Sequence, residues 1–421
     1  MRRFEIPSGS NERTVAKNTF FLYLMTVSSY VFPVFTFPYI TRVLGAERYG
    51  IVVLSNAVMQ YFQMFFEFGF ILSATSEISL SRDDRRRVAE ITYGVILAKI
   101  ILSVFGFAVL VVLCSFVDKF FEMRKFLFLS YIGIFLTVFL PDYLFRGIER
   151  MGILTYRVIL SRLVQLVLIF LLIRTGDDYM RYPVATIGGN LLAVALTWME
   201  VLKKLKVYPV RIPFKEAFAQ LKRSSPFFIS RVAVSMYQTL NTVLLGLRFP
   251  SADLAQYGAA NNLTSCARSC ISPISDGIYP YMVKNRNYRL VKRLVLVLEP
   301  VIVAGCIAFY FVSPWLIRLF CGAGYEGAVP VFRAMLPLVV ISLPTYLFGY
   351  PLMGALGIIR IANLSVIVGS AFHLLGLGVL YLAGKMGFIS IALLTFATEI
   401  VVFAIRICAA LRRLGKRRGI A

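Results

Sequence analysis

Charged side chains are scarce in this chain of 421 residues, since Asp, Glu, Lys and Arg together make up only 16% of it. A soluble domain usually carries about 25% charged residues and about 45–50% apolar ones. Here 59% of the residues are hydrophobic, and the mean hydropathy is +0.77. The shortage of charge therefore excludes an ordinary soluble domain and indicates a protein that crosses a membrane many times.

Residues that commonly carry chemistry are also few. The single histidine, His373, has no partner close in sequence, so we interpret it as a packed or snorkelling residue rather than as a ligand or part of a proton relay. A Walker P-loop is absent, which argues against ATP-driven transport by this chain itself. No acidic metal motif of the glycosyltransferase kind occurs, and Cys266 and Cys270 lack a second ligand pair. We therefore expect no enzyme, no metal site and no cofactor, with Na⁺ or H⁺ left open as a coupling ion.

Twelve apolar runs are long enough for membrane helices, which need about 20 residues each. They cover residues 18–40, 50–72, 91–117, 126–144, 152–173, 183–202, 226–247, 257–283, 291–312, 330–352, 361–383 and 388–411. The predicted fold class is an all-α polytopic membrane protein with about 12 transmembrane helices.

The distribution of basic residues predicts the orientation of these spans. If the N-terminus is cytoplasmic, the inner segments hold more than twice as many Lys and Arg residues as the outer loops. An excess of this kind on one side is the positive-inside rule. We therefore expect both termini in the cytoplasm. The net charge of +24 then reflects topology rather than binding to nucleic acid.

Polar residues recur at helical spacing within three of the apolar runs. The three stripes are Asn56, Gln60, Gln63 and Glu67; Arg231, Ser235, Gln238 and Thr242; and Asn261, Ser265, Arg268, Ser272 and Ser275. Each set falls on one helix face. Because lipid cannot satisfy polar groups, such a face must look into the protein or into a water-filled cavity. The stripes predict a hydrophilic cavity inside a helical bundle, and hence transport.

The chain also contains an internal repeat. A Tyr-Gly pair that precedes a polar stripe occurs at Tyr49–Gly50 and again at Tyr257–Gly258, close to half the chain apart. With six spans in each half, the halves are predicted to be parallel repeats about an axis along the membrane normal. We predict two six-helix bundles, residues 1–207 and 208–421, joined by a basic linker at about 203–224. Transporters of this kind place the substrate path between the halves.

Charges inside the spans point to a binding site. Burying an arginine such as Arg268 at mid-membrane costs roughly 2.5–3.5 kcal/mol without a polar surround. Facing a cavity, a guanidinium binds anions well, and a diphosphate is its natural match. The alternative is a structural ion pair of Arg268 with Asp276 or Glu67. Lys99 is expected to snorkel towards the headgroups, and for Arg231 snorkelling and a role facing the cavity both stay open.

These considerations give a set of candidate residues. We predict substrate-binding side chains at Arg231, Arg268, Asn56, Gln60, Gln63, Gln238, Asn241, Asn261 and Ser265, and coupling to an ion or proton at Glu67 or Asp276. Buried acids bind protons or cations readily, and Glu67 lies on a polar stripe while Asp276 lies beside one. Glu299 and Glu399 rank below them.

Several short motifs add a resemblance to a known family. They are Arg42, Leu44, Gly45, Tyr49 and Gly50; Phe68 and Gly69; the stretch 142–147 with Glu149 and Arg150; Pro273 with Tyr279, Pro280 and Tyr281; and Gly324, Tyr325, Glu326 and Ala328. In their order and placement, the chain resembles the Wzx-type O-antigen and capsule flippases of the polysaccharide transporter family. The larger group includes multidrug and toxin extrusion (MATE) exporters and lipid-linked peptidoglycan precursor flippases.

The resemblance implies two six-helix bundles around a central cationic cavity lined by spans 1, 2, 7 and 8. It implies alternating access, with export of an undecaprenyl-diphosphate-linked oligosaccharide across a bacterial cytoplasmic membrane. The oligosaccharide would be an O-antigen, capsule or exopolysaccharide repeat unit, and its sugars would meet the Asn and Gln residues of the stripes. Implied partners are this lipid-linked substrate, membrane lipids and polysaccharide polymerase or assembly proteins.

Three other functions remain open at this point. A MATE-like, cation-coupled drug exporter predicts a cavity dominated by acidic side chains, against which the arginines of the stripes argue mildly. A polytopic glycosyltransferase or polymerase usually needs a sizeable loop with catalytic residues, whereas no predicted outer loop exceeds about twenty residues on these span boundaries. A structural scaffold would have no use for a polar cavity.

Overall fold

The computed structural model describes residues 12–286 and 288–418, and it leaves undescribed the side chains of 12–17, 19, 30, 229–238, 280 and 415–418. The helices are α1 Glu12–Glu67, α2 Phe70–Leu80, α3 Arg85–Phe116, α4 Asp118–Glu122, α5 Arg124–Phe135, α6 Asp142–Gly147, α7 Met151–Leu172, α8 Arg181–Met199, α9 Phe214–Arg248, α10 Ser251–Asn285, α11 Tyr288–Cys321, α12 Ala328–Leu347, α13 Tyr350–Leu356, α14 Ile359–Leu382 and α15 Phe388–Arg418. No strand occurs among the described residues, which confirms the all-α fold class.

Within the described ranges, nine stretches are long and apolar enough to cross a membrane. The first, Phe20–Leu80, has 61 residues, which is enough for two crossings of a bilayer core that needs about 20. Helices α9 and α10, each of 35 residues, are not among the nine, because their polar stripes lower the hydropathy. They coincide with predicted spans 7 and 8, so the helices agree with about twelve spans.

Helix α1 continues through both of the first two predicted spans, with a kink at Gly45. This glycine has φ 68° and ψ 173°, which is the non-helical conformation inside the helix. A residue with a Cβ rarely adopts this backbone geometry, whereas glycine adopts it freely. The glycine of the repeated motif therefore marks the turn between spans 1 and 2.

The chain forms two compact units. The first comprises Met1–Leu44 and Ile51–Val232, and the second comprises Gly45–Gly50 and Ala233–Ala421. The boundary at Ala233 lies inside α9, so this helix contributes to both units. The predicted division between residues 207 and 208 rests on counting spans and stays a prediction.

The first unit is built on contacts of α8 with α5 and α7 and of α2 with α6. Large side chains, among them Phe66, Phe126 and Tyr143, are fully buried in it. The Tyr143 hydroxyl donates to the carbonyl oxygen of Thr92 at 2.9 Å, and the Tyr131 hydroxyl donates to that of Ser103 at 2.5 Å. Buried phenols thus find partners on the backbone of α3, which ties that helix to α5 and α6.

In the second unit, α10 packs on α12 and α13, and α15 packs on α12 and α14. The short segment Gly45–Gly50 joins this unit through the Tyr-Gly motif. Tyr49 is buried, and its hydroxyl accepts a 2.8 Å hydrogen bond from the Asn262 side chain. A Cβ atom at Gly50 would lie 1.7 Å from the carbonyl oxygen of Ser251, so only glycine fits there. The first copy of the motif therefore docks the turn after span 1 onto α10.

Candidate functional site

Arg268 is the centre of a polar site within the second unit. It lies on α10, where its Nε atom donates to the Ser342 hydroxyl at 2.9 Å and an Nη atom donates to Glu399 Oε1 at 2.9 Å. Ser342 belongs to α12 and Glu399 to α15, so one guanidinium joins three helices. The side chain of Arg268 is 18% exposed and that of Glu399 is 6% exposed. The arginine therefore belongs to a largely buried ion pair in which its own side chain keeps the greater exposure.

The sequence left Asp276 and Glu67 open as ion-pair partners of Arg268, and the structure shows Glu399 in that role. Asp276 is exposed on α10. Glu399 ranked below both acids from sequence because it lies on no polar stripe. An acid inside an apolar run was the available signal, but the pairing depends on how α10 and α15 pack.

Asn241 lies in a buried hydrogen-bond network of the second unit. It is 1% exposed, and its Nδ2 atom donates to the Thr395 hydroxyl at 3.1 Å. Its Oδ1 atom lies 2.9 Å from Nε2 of His373. Contact between Asn241 and a substrate stays a prediction, and it requires this network to open. The single histidine is fully buried and hydrogen-bonded, so the packed interpretation is right and snorkelling is wrong.

A second polar site lies within the first unit, where a cavity of about 220 Å³ contains Gln63 and Glu67. The Gln63 amide donates to Glu67 Oε1 at 3.3 Å. Because the two residues are one turn apart on α1, their side chains meet on the same face. Of the predicted residues, the structure brings these two together.

The same cavity is lined by residues of opposite charge. Arg157 is bound to both carboxylate oxygens of Asp142, at 2.6 and 3.0 Å. Lys99 donates to the carbonyl oxygen of Leu140 at 3.3 Å, and its ammonium group lies 5.5 Å from the centre of the Tyr143 ring. Lys99 is only 6% exposed, so the expectation that it snorkels is wrong. Its ammonium turns inward because a carbonyl, an aromatic face and nearby carboxylates stabilise it.

The other predicted residues are more dispersed. Asn56 is exposed and donates to the Tyr182 hydroxyl at 3.2 Å. Gln60 and Ser265 are exposed, and Asn261 is half-buried. Arg231 and Gln238 lie on the described backbone of α9, but their side chains fall outside the described residues. The substrate-binding roles of all these residues stay predictions.

The motif after span 4, residues 142–147, now has a physical explanation. Asp142 is the carboxylate that Arg157 binds in the cavity, and Tyr143 is the fully buried phenol beside Lys99. Gly147 closes the short helix α6, where a Cβ atom would lie 2.6 Å from the Ile78 side chain. The motif therefore builds the wall of a polar cavity as well as the contact of α6 with α2.

Two relatives match most of the chain. A protein described as a putative O-antigen transporter of Escherichia coli (strain K12) is 27% identical over 350 residues, which cover 82% of this chain and 84% of that protein. Another protein of the same description, from Shigella dysenteriae, is 24% identical over 395 residues, which cover 93% of this chain and 99% of that protein.

Solved structures show the same fold. An inward-facing multidrug resistance transporter of the MATE family, in the MOP superfamily, superposes with a TM-score of 0.71 at 14% identity, covering 91% of this chain and 95% of that one. The lipid II flippase MurJ, in an inward closed conformation, superposes with a TM-score of 0.72 at 14% identity, covering 93% of this chain and 87% of that one.

A family model described as polysaccharide biosynthesis protein matches residues 15–286, which is well over half of the 421 residues. The match includes the Tyr-Gly motif, the motif after span 4 and all three polar stripes. The chain belongs to the polysaccharide biosynthesis protein family, and it is a polytopic membrane protein with the fold of the MATE and MurJ transporters.

Proposed function

We propose that the chain is a flippase that carries an undecaprenyl-diphosphate-linked oligosaccharide from the inner to the outer leaflet by alternating access. The observation that carries this proposal is its match, over most of their length, to two proteins described as putative O-antigen transporters. The fold is that of a lipid II flippase as well as of multidrug transporters, which supports a transported substrate rather than a chemical reaction.

Arg268 is the best candidate for holding the diphosphate. Its guanidinium already binds a carboxylate, Glu399, at 2.9 Å, so it is oriented towards an anion. A diphosphate offers more charge and more acceptor oxygens than one carboxylate, and arginine binds such groups in a bidentate manner. In this proposal the incoming diphosphate replaces Glu399 as the partner of Arg268, and Arg231 adds a second cation from α9.

The remaining predicted residues complete the proposal. Asn56, Gln60, Gln63, Gln238, Asn261 and Ser265 supply hydrogen bonds to the sugars, while the prenyl tail stays in lipid. Coupling to Na⁺ or H⁺ is assigned to Glu67 or Asp276. Glu67 supports this assignment because its carboxylate lines the cavity of the first unit.

We place the protein in the bacterial cytoplasmic membrane with both termini inside, as the distribution of basic residues predicts. Its substrate is an O-antigen, capsule or exopolysaccharide repeat unit, and polymerase or assembly proteins would receive the exported unit. No enzymatic step is assigned to the chain.

A MATE-like drug exporter is the second candidate, because a multidrug transporter shares the fold. Its predicted acidic cavity has partial support, since Glu67 and Asp142 line the cavity of the first unit. However, Asp142 is bound by Arg157 at two oxygens, so it is not available for an organic cation.

Reconstitution in proteoliposomes separates the two candidates. A fluorescent undecaprenyl-diphosphate oligosaccharide is placed in both leaflets, and the fraction accessible to a membrane-impermeant quencher is followed over time. The proposal predicts complete quenching with the protein and half-quenching in empty liposomes. Proton-driven efflux of a cationic dye, without movement of the lipid-linked sugar, would establish the exporter instead.

A further inference from the structure

A basic and aromatic surface lies in the first unit, where the linker after α8 enters α9. It consists of six exposed residues, which we call the linker surface: Tyr208, Arg211, Phe214, Lys215, Phe218 and Lys222. Three aromatic rings and three cations thus lie within fifteen residues of the chain. The functional site uses none of them.

The beginning of α9 has one packed face and one exposed face. Residues 214, 215, 218 and 222 of the linker surface fall on a single stripe of this helix. On the packed face, Ala217, Gln220 and Ser224 have no exposed area. The Ser224 hydroxyl lies 2.6 Å from the Ser73 hydroxyl of α2. Packing against the first unit therefore fixes this part of α9 and turns the linker surface outwards.

The charge of the linker surface is entirely positive. Glu216 is the one acid among residues 208–222, and it is half-buried. Its carboxylate accepts from Gln220 at 3.3 Å and lies 3.7 Å from the guanidinium of Arg223. Among the described residues, the three cations of the linker surface have no ion-pair partner. They are therefore available to an anionic ligand.

The aromatic rings distinguish this surface from an ordinary basic loop. Tyr208, Phe214 and Phe218 are 59%, 68% and 59% exposed. Neighbouring exposed apolar side chains with a polar rim are typical of a surface that contacts a membrane or a partner. Basic residues that only set the topology do not need such rings beside them. Large apolar rings next to lysine and arginine are, by contrast, the composition of segments at a lipid–water interface.

Contacts with α3 and α8 place the linker surface at the boundary of the predicted membrane spans. The Tyr93 hydroxyl donates to the carbonyl oxygen of Val207 at 3.2 Å, and the Tyr93 ring lies 5.8 Å from that of Trp198. A Cβ atom at Gly94 would lie 3.6 Å from the Glu216 side chain. Tyr93 and Gly94 are near the start of predicted span 3, and Trp198 is near the end of predicted span 6. The linker surface is therefore level with the cytoplasmic headgroups, where Tyr and Trp are enriched.

We propose that the linker surface is a binding site for anionic phospholipid of the cytoplasmic leaflet. The lipid phosphates bind Arg211, Lys215 and Lys222, and the rings of Phe214 and Phe218 enter the boundary between headgroups and acyl chains. Each basic residue next to an anionic lipid surface raises the affinity about fivefold. An acidic protein matches the charge, but a lipid also matches the rings and their level in the membrane. The inference is independent of the proposed function, because lipid binding needs no transported substrate.

Lipid titration of the full-length protein in detergent tests the role of the charges. Native mass spectrometry measures the affinity for phosphatidylglycerol and for phosphatidylcholine. The linker variant Arg211→Gln/Lys215→Gln/Lys222→Gln should bind phosphatidylglycerol about ten- to hundredfold more weakly than wild type. The control Lys284→Gln/Arg289→Gln/Lys292→Gln removes three exposed basic residues on the same predicted side and should stay near wild type. Equal losses in both variants, or no preference of wild type for phosphatidylglycerol, overturn the proposal.

Fluorescence quenching in nanodiscs tests the position of the rings. The chain has two tryptophans, so Phe214→Trp is made in a Trp198→Phe/Trp315→Phe background. Phosphatidylglycerol brominated on its acyl chains should quench this tryptophan strongly, and aqueous iodide should quench it weakly. Phe311→Trp, at a 73% exposed position of predicted span 9, is the control that bromine should quench in any case. Quenching of Phe214→Trp by iodide and not by brominated lipid overturns the proposal and leaves the linker surface to a soluble acidic partner.

Discussion

A single side chain, Arg268, illustrates what the sequence can predict and what it cannot. The polar stripe on α10 and the high cost of a buried arginine correctly identify it as an unusual residue that needs a polar surround. Its partners, Ser342 and Glu399, come from helices α12 and α15, far away in the chain. No local pattern encodes such a contact, because it depends on the packing of three helices.

The ion pair between Arg268 and Glu399 leads to a prediction about the free energy of unfolding. Arg268→Gln leaves Glu399 buried without its cation, which should lower the free energy of unfolding by about 3 kcal/mol. The double variant Arg268→Gln/Glu399→Gln removes both charges and should recover most of this loss, since two neutral amides can pair. Thermal unfolding in detergent measures both variants. Equal loss in the single and double variants would show that the pair does not act as a unit.

Gly50 gives a second prediction at the residue scale. Gly50→Ala places a methyl group 1.7 Å from the Ser251 carbonyl, so the start of α10 must move or the protein must unfold. We expect a loss of more than about 3 kcal/mol, as for severe overpacking. The control is Gly305→Ala, where no heavy atom lies within 4 Å of the new Cβ and helix propensity should stabilise by about 0.5–1 kcal/mol. Equal melting temperatures for the two variants would refute the close contact.

At the scale of helices, periodicity and length were sufficient to predict the long elements, including α9 and α10, which are polar for membrane helices. The start of α9 differs from the prediction, in which span 7 began at Pro226. The helix begins twelve residues earlier, at Phe214, and continues through that proline. Its first turns are stabilised by tertiary contacts: Gln220 is fully buried and donates to Glu77 of α2 at 3.3 Å.

Glu77 should therefore hold the beginning of α9 in place. Its Oε1 atom accepts from Arg87 at 2.9 Å and from Arg223 at 2.8 Å. Glu77→Gln should raise amide hydrogen exchange severalfold in residues 214–224, because these half-exposed ion pairs contribute about 1 kcal/mol together. The control is Glu122→Gln, an exposed carboxylate outside the cluster. Unchanged exchange in the Glu77 variant would mean that packing alone orders this part of α9.

For the whole molecule, composition was enough to predict a polytopic helical membrane protein, and motif order pointed to its family. The network around Arg268 and the network around His373 and Asn241 could not be predicted from composition or motif order. Both depend on which helix faces meet within a unit, as the contacts of His373 with α9 and α15 show. The sequence supplied the polar residues, whereas the packing decided their partners.

The predicted orientation can be checked on the intact protein. In a background without cysteine, Lys203→Cys and Ala323→Cys place single thiols at exposed positions on opposite sides of the predicted membrane. A membrane-impermeant thiol reagent should label Ala323→Cys in intact cells, and Lys203→Cys only after permeabilisation, because basic segments stay inside. The reverse pattern would invert the topology and with it the proposed direction of transport.

The most direct test of the central claim is the translocation rate of a fluorescent undecaprenyl-diphosphate oligosaccharide in proteoliposomes. Wild type is compared with Arg268→Gln/Glu399→Gln and with Arg333→Gln, which removes an arginine that contacts Tyr310 and Ser313 elsewhere in the second unit. Losing a charged hydrogen bond of about 1.5–3 kcal/mol should slow the double variant about ten- to hundredfold, while Arg333→Gln stays near wild type. Wild-type rates in a folded double variant, or no movement by wild type itself, would contradict the account.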